Sequence, residues 1–353
     1  MRHFFRIEWG SFNSEVLSMA FSPFNEFTDF SATVVFEALY EELGGEKRDR
    51  LRRAVKEENG EKELLSLSDA EFDAALHLTE IRGGIPVPTV AGILLEGKDE
   101  AVERFLPSSG IHVRVVSDFK TELDEELGGT IPEMIDRMRE IFRQNNGKGS
   151  ARPEITDFSL ESLDELLFNA LIHRDYTMGV PTEILVDPEG VEITSPGMLF
   201  NRASPEKLLY ANSISRNPVL GRALRMLGFC TMNGNGVREI FYSALKYGRP
   251  EPDYSQSTEK QVSVFLHRIQ PDLALSSLIE KTLSNGSRLS VTALRVLYQL
   301  RRTPLTAEEI ADRLSLSSQG RLVVVLENLL ALKLVEFTDS RYRILWPSSA
   351  DDI

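Results

Sequence analysis

Three side chains on one predicted helix have the types and the spacing for chemistry: Glu165, Asn169 and His173. Positions four apart on a helix stack on one face, so a carboxylate, an amide and an imidazole form a single polar row. Beside the row, Leu166, Leu167, Ala170 and Leu171 make an apolar stripe that faces a core. Such a pattern suits a helix that borders a pocket. A surface helix with a solvated polar face carries the same pattern, and on spacing alone both readings stay open.

The segments around this helix would have to position it. Residues 130–144 read as an amphipathic helix with Ile131, Met134, Ile135, Met138, Ile141 and Phe142 on one side. Residues 182–186 and 191–194 read as strands joined by the turn Asp187-Pro-Glu-Gly190, and Ser195-Pro-Gly197 follows at once. Further on, Gly234-Asn-Gly236 precedes a helix running to about Tyr247. Two glycines ahead of a helix let backbone N–H groups approach an anion at its positive end. A strand at residues 261–268 would close the sheet. Asn-Asn-Gly147-Lys-Gly-Ser150 lacks the spacing and the strand-to-helix context of a phosphate-binding P-loop and reads as a flexible linker. With no P-loop in the chain, helicase chemistry has no mechanistic basis.

Glu165-x-x-x-Asn169-Ala resembles the N-box of the GHKL ATPases, the gyrase, Hsp90, MutL and histidine-kinase superfamily. The string Asn169-Ala-Leu-Ile-His-Arg-Asp-Tyr176 is similar to the carboxy-terminal domain of RecG-related, Schlafen-AlbA-type transcriptional regulators. This resemblance implies a general-base role for Glu165, a Mg²⁺ ligand in Asn169, and ATP as cofactor. It implies further nucleotide contacts at His173, Ser195, Gly197, Arg216, Gly234 and Gly236. Ser195-Pro-Gly197 falls where GHKL proteins have Asp-x-Gly-x-Gly, whose Asp bonds the adenine amino group; by the resemblance, Ser195 or a neighbour stands in place of that Asp. Residues 198–230 correspond to the ATP lid. Within them Ser215-Arg-Asn-Pro218 matches the branch's Arg-Asn-Pro string, so Arg216 either meets a terminal phosphate, which suits a guanidinium fork, or is an ordinary ion-pair partner.

Upstream, Thr89-Val-Ala-Gly-Ile-Leu-Leu-Glu-Gly-Lys98 resembles the second half of a Schlafen-AlbA module, where Phe is typical at the position of Glu96. The module's first half is not legible. The apolar residues in 31–42 recur at helical spacing and Gly44-Gly45 stops them. The mixed-charge run 46–62 reads as a solvated helix or a mobile segment. Ser66-Leu-Ser-Asp69 with Glu71 reads as a helix start, the helix continuing to Leu78. Residues 4–30 read as loops and short elements.

Toward the end, residues 289–301, 306–314 and 317–332 read as helices and 335–345 as a hairpin, the winged-helix order. Thr306 and Glu309 form a capping box. From Glu280 to Trp346 ten Lys or Arg face seven Asp or Glu, whereas the whole chain carries −14. That contrast favours double-stranded DNA as partner, with Ser317, Ser318, Gln319 and Arg321 at a recognition helix and Arg341 and Arg343 on a wing. A dimer or protein-docking module is the other reading.

At 353 residues and 42% apolar content, the chain has room for two or three globular units. One cysteine, Cys230 in an apolar stretch, permits no internal disulfide and reads as a buried thiol. No stretch nears the roughly 18 apolar residues of a membrane span, and the start lacks the apolar region of a signal peptide. A cytoplasmic protein with no membrane partner is expected. The acidic balance argues against indiscriminate coating of nucleic acid. The fold expected is α+β: a partial Schlafen-AlbA-like module at 1–120, a GHKL-like α/β sandwich at 128–270 and a winged helix at 285–346. The function expected is a DNA-binding regulator that binds ATP, either sensing it or slowly hydrolysing it, and assembles as a homo-oligomer. The alternatives are a scaffold with a degenerate pocket and, last, a Schlafen-like nuclease.

Overall fold

The computed structural model describes residues 29–117, 120–147, 157–199, 208–209, 215–230, 236–316 and 319–346. Where a helix is expected across 31–42, the chain makes two short 3-10 turns, Phe30–Ala32 and Tyr40–Glu42. The reason is long-range: Val35 N–H donates to Pro88 O and Val90 N–H to Thr33 O, each at 2.8 Å, so this backbone bonds across the domain instead of along a helix. The charge-rich run does form a helix, α1 (Gly45–Glu57), and it is not merely solvated, because Arg48, Leu51, Ala54 and Val55 are buried. Helix α2 (Asp69–Ala75) starts on the capping box of Ser68 and Glu71. It ends at Ala75, short of Leu78. Strands β1 (Thr79–Arg82) and β2 (Ile85–Pro88) form a hairpin, and α3 (Val90–Glu96) and α4 (Asp99–Phe105) follow.

Under this layer lies a buried charge cluster. Arg48 donates to Asp73 through Nε at 2.9 Å and Nη2 at 2.7 Å, and its Nη2 lies 2.6 Å from Glu96 Oε1. Asp73 and Glu96 are fully buried, so two carboxyl groups share one guanidinium with no water to help. Burial, with the nearby Asp73 charge, pushes the Glu96 carboxyl well above its usual range, against the pull of Arg48. The folded chain therefore holds a proton on Glu96 at neutral pH that the unfolded chain, ionising near 4.5, has released. Wherever the folded state binds more protons, stability falls as pH rises. Glu96→Gln keeps the neutral form; between about pH 5 and about pH 9 its unfolding midpoint should decline less than that of the wild type. Equal slopes in thermal unfolding would refute a proton held on Glu96.

The central sheet is built from β3 (Ile111–Ser117), β4 (Lys120–Leu127), β5 (Thr182–Val186), β6 (Gly190–Pro196) and β7 (Gln261–His267), in the order β4-β3-β5-β6-β7. Only β3 and β5 run parallel; the other pairs are antiparallel. The strands read alternately, as period-two side chains require. Ile111, Val113, Val115, Ile184, Val186, Val191, Ile193, Val264 and Leu266 are buried. On the other face His112 sits between Asp124 Oδ1 at 2.7 Å and Glu183 Oε2 at 2.9 Å, which ties β4 and β5 to β3. The border expected between residues 120 and 128 runs through this sheet: the β3–β4 hairpin belongs to the same layer as β5 to β7.

Helices α5 (Ile131–Asn145) and α6 (Leu160–Ile172) are the amphipathic pair expected beside the sheet, α5 capped by Thr130 and Glu133. Helices α7 (Pro218–Leu227) and α8 (Gly236–Lys246) precede β7. Gly147 donates its N–H to Asp157 Oδ2 at 2.9 Å, and residues 148–150 of the expected linker lie outside the described residues. The tail holds α9 (Leu273–Ser284), α10 (Val291–Leu300), α11 (Ala307–Arg313), α12 (Gln319–Ala331) and the hairpin β8 (Val335–Thr338) with β9 (Arg341–Ile344). Its α10 packs on α8. Arg295 of α10 grips Glu251, just beyond α8, with Nε–Oε1 and Nη2–Oε2 both at 2.9 Å. No helix among the described residues is long and apolar enough to cross a membrane.

Candidate functional site

Helix α6 begins where Ser159 Oγ accepts the N–H of Ser162 at 3.1 Å. Leu163, Leu166, Leu167 and Leu171 then go into the core, which fixes the rotation of the helix and leaves Glu165, Asn169 and His173 half-buried along one edge. Asn169 Nδ2 donates to Glu165 Oε1 at 3.2 Å, so the amide and the carboxylate are mutually held one turn apart. That bond uses the amide nitrogen. The amide oxygen, a hard ligand of the kind Mg²⁺ prefers, has no donor among the described residues.

The partner of this row is the start of α8. A Cβ on Gly236 would sit 1.7 Å from Glu165 Oε1, so any side chain there would require the Glu165 carboxylate to swing away from the start of the helix. The carboxylate thus lies against a helix N-terminus, where peptide dipoles favour negative charge. Burial pushes Glu165 above its ordinary carboxylate range, the Asn169 hydrogen bond opposes this, and Glu239 and Asp164 add to it. A desolvated carboxylate of raised proton affinity is a better base than a solvated one.

His173 caps α6, its N–H donating to Asn169 O at 3.0 Å. Burial takes its imidazole down to about 4, and the Arg216 charge pushes the same way, so the ring is neutral at physiological pH. Arg216 donates through Nη1 to Asp175 Oδ2 at 3.3 Å and through Nη2 to Met198 O at 3.3 Å. Of its two sequence readings, the ion pair is the one present. Gly197, at φ +117°, packs against the same Asp175, 3.2 Å from its Cβ to a built Cβ, and its own N–H donates to Lys260 O at 2.9 Å. Glu165, Asn169 and Gly236 therefore converge at one end of the row, and His173, Arg216 and Gly197 at the other.

Ser195 does not join them. Its hydroxyl donates to Ala170 O at 2.7 Å in the buried seam between β6 and α6. It stitches strand to helix. Gly234 lies outside the described residues, as do Ser317 and Ser318 of the expected DNA contacts. Gln319 opens α12, Arg321 follows on its exposed side, and the two hairpin arginines are both engaged within the tail. Arg341 forks onto Glu309 at 2.8 and 3.2 Å, and Arg343 pairs with Glu336. Among the described residues no group of three or more His, Cys, Asp or Glu is placed to hold a metal ion.

Two residues of the site escape the sequence reading. Asn217 is fully buried and its Nδ2 donates to Ile172 O at 2.9 Å and Arg174 O at 2.8 Å, satisfying carbonyls at the end of α6 that the helix leaves open. Arg174 is fully buried as well. It donates to Thr182 Oγ1 at 3.0 Å, Gly110 O at 3.3 Å, Val180 O at 2.5 Å and Ser108 O. Both lie inside strings noted for their likeness, but nothing in the strings says which atoms they serve.

Residues 179–266 match the family described as "Putative ATP-dependent DNA helicase recG C-terminal". The matched stretch takes in β5 to β7 with α7 and α8, and it supports a RecG-related, ATPase-like domain of the GHKL kind; an ATPase-like domain in turn suggests nucleotide binding. Helix α6, with Glu165 and Asn169, precedes that stretch. The DIP2311 protein from Corynebacterium diphtheriae is a solved structure of similar fold, with a TM-score of 0.69 at 18% identity. The alignment covers 90% of this chain and 64% of that one, so the present chain spans less than two thirds of the other's length. At that identity the likeness concerns the fold. A comparison with curated proteins gave no match.

Proposed function

We propose that the protein binds ATP with Mg²⁺ beside Glu165 and Asn169, where α6 meets the start of α8. The observation that carries this reading is the Glu165–Asn169 pair held against the bare backbone of Gly236. A positive helix end offers N–H groups to phosphate oxygens. Asn169 Oδ1 is the atom that would meet the magnesium, and Mg²⁺ characteristically takes few protein ligands alongside substrate phosphates. Bound magnesium would neutralise phosphate charge. Glu165, desolvated and beside the phosphate end, would take the proton of the attacking water. Neutral His173 would donate or accept a hydrogen bond without adding charge, and Arg216 would have to trade Asp175 for a phosphate to take part.

The tail is the output unit of this reading, a winged helix docked on α8. Its excess of basic residues favours contact with double-stranded DNA; the internal pairing of Arg341 and Arg343 works against it. A salt-dependent gel shift decides the matter. A scaffold with a degenerate pocket is the competing reading for the middle domain, and Ser195 favours it, since its hydroxyl is committed to Ala170. Titration calorimetry with ATP, in Mg²⁺ and again in EDTA, tests the proposal. Saturable binding below about 1 mM that weakens in EDTA is the expected result. Heats no different from buffer in both solutions would leave the scaffold.

A further inference from the structure

Helix α12 sends Leu322, Leu326 and Leu329 into the core and turns Arg321, Val323, Val324, Glu327, Asn328 and Ala331 outward. Val323 is 49% exposed and Val324 65%. β-branched residues are poor helix formers, so helix formation gives no reason for a valine pair in the open. Phe337 on the adjacent hairpin is 53% exposed, its ring 4.7 Å from that of Tyr342. Two neighbouring exposed valines flanked by charge on one helix suit a surface that docks on something. A nucleic-acid surface would instead present cations to phosphates, and the two arginines of the hairpin are held by Glu309 and Glu336.

The charges on α12 say what docks. Arg321 and Glu327 stand three residues to either side of Val324 and, at about 100° per residue, on opposite flanks of its stripe. A two-fold axis beside Val324, with two such helices crossing steeply, brings each Arg321 against the Glu327 of the other copy and encloses the valines between them. A guanidinium has five donors, so it can reach across whatever it touches at home. We propose that this face is self-complementary and joins two copies of the chain in an isologous dimer. The proposal stands apart from nucleotide binding, which it does not require.

Sedimentation velocity of the full chain, without nucleotide or DNA, tests it. The wild type should dimerise within about 1 to 100 µM. Val324→Asp should weaken the dimer about a hundredfold. Arg321→Glu and Glu327→Arg should each weaken it about tenfold, and the double variant that swaps the charges should return to within about threefold of the wild type. Val324→Ser serves if the aspartate variant loses its far-ultraviolet dichroism. A wild type that stays monomeric, a dimer indifferent to Val324, or single charge variants that the swap does not rescue would each overturn the proposal. So would a monomer that binds duplex DNA and loses it on Arg321→Glu, which would make the face a nucleic-acid reader.

Discussion

Asn169→Ala should abolish magnesium-dependent binding of a fluorescent ATP analogue, weakening it by at least about a hundredfold, as loss of a metal contact and its supporting hydrogen bond does. Two functions disappear together: the amide oxygen available to Mg²⁺ and the donor that holds Glu165 Oε1 at 3.2 Å. Glu165→Gln separates them. The glutamine retains shape and position, so affinity should stay within about threefold, while phosphate release should fall about 10²- to 10⁴-fold, the range for removing a general base. Turnover also carries a pH signature. Glu165 must be ionised to act, and its folded-state value lies above the ordinary 4.5, so activity should fall with decreasing pH before a solvated carboxylate would. Equal affinity in wild type and Asn169→Ala would remove the magnesium reading.

Arg174→Met should cost about 4 kcal/mol of stability, because three partly buried carbonyls and one hydroxyl lose a charged donor at once, each such bond worth roughly 1.5–3 kcal/mol before relaxation, although Gly110 O keeps the Thr182 N–H. The carbonyls belong to Ser108, Gly110 and Val180, so the loss falls where β3 and β5 begin their parallel pairing. Urea unfolding measures it. Arg174→Lys should recover only part, since one ammonium cannot reach four oxygens spread around a planar fork. A change under about 1 kcal/mol would mean that water replaces the guanidinium, contrary to its complete burial.

The parts of this molecule that sequence discloses are those decided locally. The row on α6, the helix start near Ser68, the capping box at Thr306, the strands around the Asp187 turn and the glycine that opens α8 each follow from spacing within a few residues. Decisions made at a distance stay hidden. The apolar periodicity of 31–42 is real, yet Pro88 and Val90 claim that backbone for the hairpin layer. The mixed charges of 46–62 look solvated, but Arg48 turns inward to two buried carboxyls. Periodicity likewise gives no sign that β3 and β4 complete the sheet of β5 to β7, because strand order depends on partners far along the chain. In the site itself, Arg216 is readable as a cation but its choice of Asp175 is not.

Helix α8 has 11 residues and so runs about 16 Å. At one end it has no side chain to cushion it from Glu165, and just past the other Glu251 is clamped to Arg295 of the tail. The one helix thus touches both the Glu165 row and, through the turn that follows it, the tail: an anion that displaced its first turn would press on both. A spin label or fluorophore on the tail is therefore the place to look for any response to an anion at Glu165.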